Sequence, residues 1–205
     1  MLVLGPFLPA MDKLFITAAS AVTESDLHDA RLGSRFGRMD LTSQLALLAV
    51  ERLAGGFDSV GRDRIAICLA ARTSSLATDV AYWKGRDSAG GPSPTLFTYT
   101  LPSAALGEIA IRHRLTGPNL CFVGNSSDVL PEAAELIRRG EADACVCVYV
   151  KAISTSLAGI IALPAEATSC AAFLRRRERG LHELREFDRD MESLCASLRA
   201  HLATK

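Results

Sequence analysis

Residues 119–150 read "NLCFVGNSSDVLPEAAELIRRGEADACVCVYV". Asn119–Gly124 is an apolar run of strand length. A polar turn follows, then a helix over Glu132–Arg139 closed by Gly140, then a second apolar run at Ala144–Val150. Strands that alternate with helices imply parallel βαβ units. The turn Gly124-Asn125-Ser126-Ser127-Asp128 is the kind of strand-to-helix elbow on which many enzymes hold a nucleophile, and Ser126 is its candidate.

Upstream, Lys13–Ala19 reads as a first strand. Asp40–Leu53, "DLTSQLALLAVERL", places apolar residues at 41, 45, 48 and 49, the helical period, with Asp40 as N-cap. Arg64–Ala70 is a continuous apolar run, as expected of a strand buried on both faces. Residues 85–95 are a loop by composition, and Ser103–Arg114 is helical. Downstream, Leu157–Leu163 reads as a fifth strand. Only six residues separate it from Val150, too few for a crossover helix, so the two form an antiparallel pair. Leu181–Leu202 carries Leu181, Leu184, Phe187, Met191, Leu194, Leu198 and Leu202 on one helical stripe. That helix packs on its own domain or docks in part on another chain.

Twenty-three Lys and Arg balance twenty-three Asp and Glu, so no global field favours nucleic acid or an anionic membrane. The run Arg175-Arg176-Arg177 reads as a solvated helix start. Cys68, Cys121, Cys145 and Cys147 fall in apolar strands, where cysteine behaves as a small hydrophobe. Cys145 and Cys147 point the same way. No Cys/His spacing suits zinc, and neither metal nor cofactor is expected. A reduced cytoplasmic protein is the simple reading. The first eleven residues, "MLVLGPFLPAM", lack a basic segment and hold two prolines, which argues against a signal peptide; Met11 is an alternative start. The run is too short to span a bilayer.

"RFGRMDLTSQLALLAVERL" (35–53), "FTYTLPSAALGEIAIRHRLTGPNLCF" (97–122) and "EAAELIRRGEADACVCV" (132–148) resemble the N-terminal half of β-ketoacyl-acyl-carrier-protein synthases. These are condensing enzymes of the thiolase superfamily. The resemblance covers roughly 13–165. It implies an α/β fold made of a single thiolase-like half: a five-stranded mixed sheet, last strand antiparallel, helices on both faces. Residues 1–12 are then an N-terminal extension and 166–205 a helical one.

In active members the strand after the Gly-Pro-Asn turn ends in a cysteine at a helix N-terminus, which lowers the thiol pKa for acyl transfer. Gly117-Pro118-Asn119 places Ser126 at that position, and Cys121 lies five residues too early. The family's two histidines belong to its C-terminal half, in motifs not found around His182 or His201. Pro131 is a second departure. Proline is tolerated in a first turn but costs about 3 kcal/mol deeper in a helix. A start near Asp128, with Asp128 as N-cap, accommodates it and moves Ser126 off the helix N-terminus.

The resemblance therefore implies a chain-length-factor-like subunit, as in aryl polyene clusters, that pairs with an active ketosynthase and meets acyl-carrier protein. It places Thr98, Tyr99, Thr100, Leu101, Ala104 and Leu106 at the partner's acyl tunnel. A stand-alone homodimer that binds acyl chains or carrier protein is the first alternative. An acyltransferase or decarboxylase using Ser126 is the second.

Overall fold

A computed structural model describes residues 13–152, 168–176, 182–183, Met191 and Leu194. In chain order the elements are β1 (Leu14–Thr23), α1 (Leu41–Glu51), β2 (Ile65–Ala71), α2 (Leu76–Gly85), α3 (Pro94–Thr98), α4 (Ala104–His113), β3 (Asn119–Val123), α5 (Val129–Arg138), β4 (Ala144–Lys151), β5 (Thr168–Arg176) and β6 (His182–Glu183). The sheet runs β3-β2-β4-β5-β1-β6. β2 pairs in parallel with β3 and β4, while β5 lies antiparallel between β4 and β1. The expected mixed sheet of five principal strands is present, extended by the two-residue β6 against β1.

The fifth strand is not where apolarity pointed. Leu157–Leu163 lies outside the described residues, and the partner of β4 is Thr168–Arg176. Arg175 and Arg176 therefore end a strand and do not start a helix. Arg175 donates to Ser59 Oγ at 2.7 Å, and its guanidinium stands 5.8 Å over the Phe173 ring. The sheet thus takes in residues beyond 165. His182–Glu183 is strand, so the predicted helix does not begin at 181. Of its stripe, Met191 and Leu194 are helical and pack on the chain's own core; the rest lies outside the described residues.

Side-chain size sorts the two faces. Ile65, Ile67, Leu69, Val146, Val148 and Phe173 point towards α1 and α4. The alternate positions, Ala66, Cys68, Ala70, Cys145, Cys147 and Ala172, point towards α5. All twelve are fully buried. Strand alternation thus gives α1 and α4 a bed of large branched side chains. In the α5 cluster these small residues are joined by Ala133 and Ala134 of the helix, and by the larger Ile16, Tyr149 and Leu174 of the sheet. Each large aliphatic side chain buried this way contributes about 1.5–3 kcal/mol. The buried Ser20 hydroxyl donates to Ala49 O at 2.7 Å and pins α1 to β1.

The caps follow the sequence in part. Asp40 Oδ1 accepts from Ser43 N at 3.0 Å, as expected of the N-cap. Its other oxygen accepts from Thr78 Oγ1 at 3.1 Å, tying α2 to the start of α1. α4 ends on Arg114 in the left-handed conformation, φ 55°. Gly117 packs so tightly on the entry to β2 that a Cβ there would sit 2.3 Å from Ile65 O.

Candidate functional site

The elbow after β3 forms as the sequence suggested, with one addition. Asn125 is extended, and a 3-10 turn over Ser126–Asp128 feeds directly into α5. The α-helix itself begins at Val129 with Asp128 at the N-cap position, as expected, and the 3-10 turn extends the winding back to Ser126. Asp128 is itself helical, and its side chain makes no capping bond to α5. Pro131 fits because it is the third residue of α5, where the missing N–H has no carbonyl four residues back within the helix. Ser126 is thus the first wound residue of the elbow, and it is buried. The N-terminus of α5 directs its dipole towards this turn.

The second cluster lies on the stretch from α3 to α4. Glu108 of α4 is only 6% exposed and receives three bonds. Arg35 forks onto it, Nε to Oε2 and Nη2 to Oε1, both at 2.9 Å. Tyr99 donates its hydroxyl to Oε1 at 3.0 Å. Hydrogen bonding to Glu108 raises the Arg35 pKa above its ordinary value. Burial first, then the bond to Glu108, pushes the Tyr99 phenol up to about 12. An 80 Å³ cavity beneath, lined in part by Phe36, Met39 and Leu47, is far below the roughly 300 Å³ of ordinary ligand pockets. A second, open hollow of about 340 Å³ flanks the cluster, lined by Arg35, Arg38, Pro94, Thr95, Thr98 and Tyr99.

The six residues predicted for the tunnel divide. Tyr99 and Leu106 are buried in the chain's own core, and Ala104 packs partly against it. Thr100 Oγ1 donates to Phe97 O at 2.8 Å, and its carbonyl accepts from Ser75 Oγ at 2.8 Å. Thr98 is exposed and donates to Pro94 O at 3.2 Å. Leu101 stands 64% exposed. Phe97, Ile111 and Val123, on the same stretch of chain, are equally open. Among the described strands β3 pairs on one side only, with β2, so its other edge is open. Leu120, Cys121 and Phe122 are half-buried along it.

His113, flanked by Arg112 and Arg114, is turned inward at the end of α4. Its ring meets Phe57 edge-on at 5.4 Å, and Nε2 is buried without a hydrogen bond, 3.7 Å from Glu51 Oε1. Burial holds its pKa below the usual value. It belongs to the core beneath α1, not to the elbow. The described residues hold no group of three His, Cys, Asp or Glu side chains able to bind a metal. No helix among them is long and apolar enough to cross a membrane.

Residues 21–175 match the family described as β-ketoacyl synthase, N-terminal domain. The chain belongs to the β-ketoacyl synthase family. No curated protein matches it. Among solved structures it is similar to the ishigamide ketosynthase/chain length factor, with TM-score 0.66, 17% identity, 82% of this chain and 63% of that one. A type II polyketide synthase acyl-carrier protein in complex with its ketosynthase bound to the hexaketide gives TM-score 0.65, 16% identity, 82% and 64%. The ketosynthase ApeO in complex with its chain length factor ApeC from Xenorhabdus doucetiae gives 0.61, 16%, 83% and 60%. The chain thus spans under two thirds of the length of the synthase-fold chains it matches.

In this β-ketoacyl synthase-family chain the elbow residue that opens the 3-10 turn is Ser126. The ion pair Arg35–Glu108 was not legible beforehand. Its partners lie 73 residues apart, and only the proximity of Glu108 to Tyr99, nine residues earlier, left a trace.

Proposed function

We propose that this chain is a non-catalytic, chain-length-factor-like subunit. It pairs with an active ketosynthase in type II fatty-acid, polyketide or aryl polyene synthesis and shapes the acyl tunnel of its partner. It acts in the cytoplasm, and acyl-carrier protein docks on the assembled pair. The observation that carries this reading is the apolar flank of 97–123. Phe97, Leu101, Ile111 and Val123 each stand more than 60% exposed on the segments leading into and along the edge strand β3. Large apolar side chains in such numbers, next to a strand with an open edge, fit a surface that another subunit covers.

Two further observations support the reading. The elbow carries the hydroxyl of Ser126 where the resemblance to the family would place a thiol, and a hydroxyl needs a positioned base to attack a thioester. His113, the histidine of this sequence nearest in chain order, is packed against Phe57. The similarity of the fold to ketosynthase/chain length factor structures supports the assignment.

The test is co-expression with candidate ketosynthases, followed by light scattering and native mass spectrometry. A one-to-one complex that Leu101→Asp and Val123→Asp abolish is expected. A stable homodimer that ignores every ketosynthase would overturn the reading in favour of a stand-alone binding protein. A covalent acyl mass on Ser126 that Ser126→Ala removes would make the chain an enzyme.

A further inference from the structure

The exposed turn at Leu101 is held from beneath. Its preceding residue pairs are fastened twice: Tyr99 to Glu108, and the Thr100 carbonyl to Ser75 Oγ. Glu108 also takes the Arg35 fork from the chain that precedes α1. One buried carboxylate therefore joins three segments: the stretch before α1, the turn between α3 and α4, and α4 itself. A carboxylate has about four lone-pair sites and no donor, so three donors converging on it is a matched set. The amide of glutamine would accept on one side only and would turn its own N–H group towards a donor. A buried charge whose Oε1 takes both Arg35 Nη2 and the Tyr99 hydroxyl, and whose Oε2 takes Arg35 Nε, has a single well-defined geometry.

We propose that Glu108 is a positioning residue whose latch sets the height of the turn 98–101, and through Leu101 the chain length that a partner ketosynthase releases. The latch is a property of the chain alone. The effect on chain length rests on the partner-subunit reading above.

Two variants separate the parts. Tyr99→Phe removes one hydroxyl and leaves the ring in the core. Glu108→Gln keeps the shape and mismatches the donors. The first readout is amide hydrogen exchange of the native full chain over 94–103, with α1 as internal reference. About tenfold faster exchange at 98–103 is expected in Glu108→Gln and less in Tyr99→Phe, with α1 unchanged. The second readout is the product-length distribution of the co-expressed ketosynthase. It should broaden or shift while the complex persists.

Exchange that does not change, or that rises equally across α1, would overturn the latch. Faster exchange at the turn with unchanged product lengths in an intact complex would overturn its role in chain length. If the native chain binds no ketosynthase, the partner reading and the chain-length effect fall together, and exchange still decides the latch.

Discussion

Gly117→Ala tests the architecture at its tightest point. The added methyl carbon would lie 2.3 Å from Ile65 O, 2.8 Å from Ile65 C and 3.1 Å from Asp63 O. These are backbone atoms, so no side chain can swing aside. To reach an ordinary contact of 3.4 Å the turn must retreat from β2 by about 1 Å. Two backbone bonds span that gap: Ile67 N to Pro118 O at 2.9 Å and Thr116 N to Arg62 O at 3.0 Å. A shift of about 1 Å takes both beyond hydrogen-bonding distance. Each contributes about 0.5–1.5 kcal/mol, and the buried groups left unpaired add to the loss. The expected destabilisation is about 2–4 kcal/mol, which lowers Tm by about 5–15 °C in a chain of this size. Urea unfolding followed by circular dichroism measures it as a lower midpoint with an unchanged slope. Because β3 follows the turn directly, the variant should also weaken any complex formed through the β3 edge. A loss below about 0.5 kcal/mol, the range of inert surface changes, would refute the close packing of Gly117 on β2.

Arg114→Gly should raise stability by about 0.5–1 kcal/mol, since Arg114 holds φ 55° where glycine carries no steric penalty; thermal unfolding reads the gain. Ala133→Leu should cost about 1–3 kcal/mol, because Ala133 is fully buried in the cluster that holds Ala66, Cys68 and Cys145, where added methylenes overpack the core; chemical denaturation checks it. Burial lowers the pKa of His113, with Arg112 and Arg62 adding to the effect and Glu51 opposing it. Its folded pKa lies below the unfolded value of about 6.5. The unfolded chain therefore binds more protons as pH falls through that value, and stability drops. His113→Phe should flatten stability between about pH 7 and 5 in urea titrations at both ends.

The sequence conveyed most where a single segment carried its own pattern. The seven buried residues of β2 announced a strand covered on both faces, and Asp40 announced the start of α1 by its side chain. β5 escaped because its residues are Thr, Ser, Cys, Ala and Ala before Phe173. Position in the sheet, between β4 and β1, buries such a strand without any apolar excess of its own. The two arginines at its end belong to the rim of the sheet, where Arg175 reaches Ser59. α2 was missed because its helical pattern is weak and one buried residue, Thr78, is polar. At the elbow, Pro131 was read as pushing the helix start downstream. The α-helix does start there, at Val129, with Pro131 in its first turn, and what the sequence did not show is the 3-10 turn that precedes it. The latch on Glu108 needed tertiary structure, since no spacing rule joins residue 35 to residue 108.

The thiols of the described residues fall into two kinds. Cys68, Cys145, Cys147 and Cys170 are sealed beneath α5 or its flank, while Cys121 is half-buried on the edge strand. Burial raises the pKa of Cys121 and of Cys145, and its bond with Cys145 chiefly raises that of Cys68, so these three described thiols hold little reactive thiolate in the folded state. A thiol reagent then keeps time for the molecule. Modification of the four sealed positions counts openings of the core, and modification of Cys121 counts moments when the sheet edge is uncovered. The protein carries two built-in clocks, and a subunit that shields β3 should slow one far more than the other.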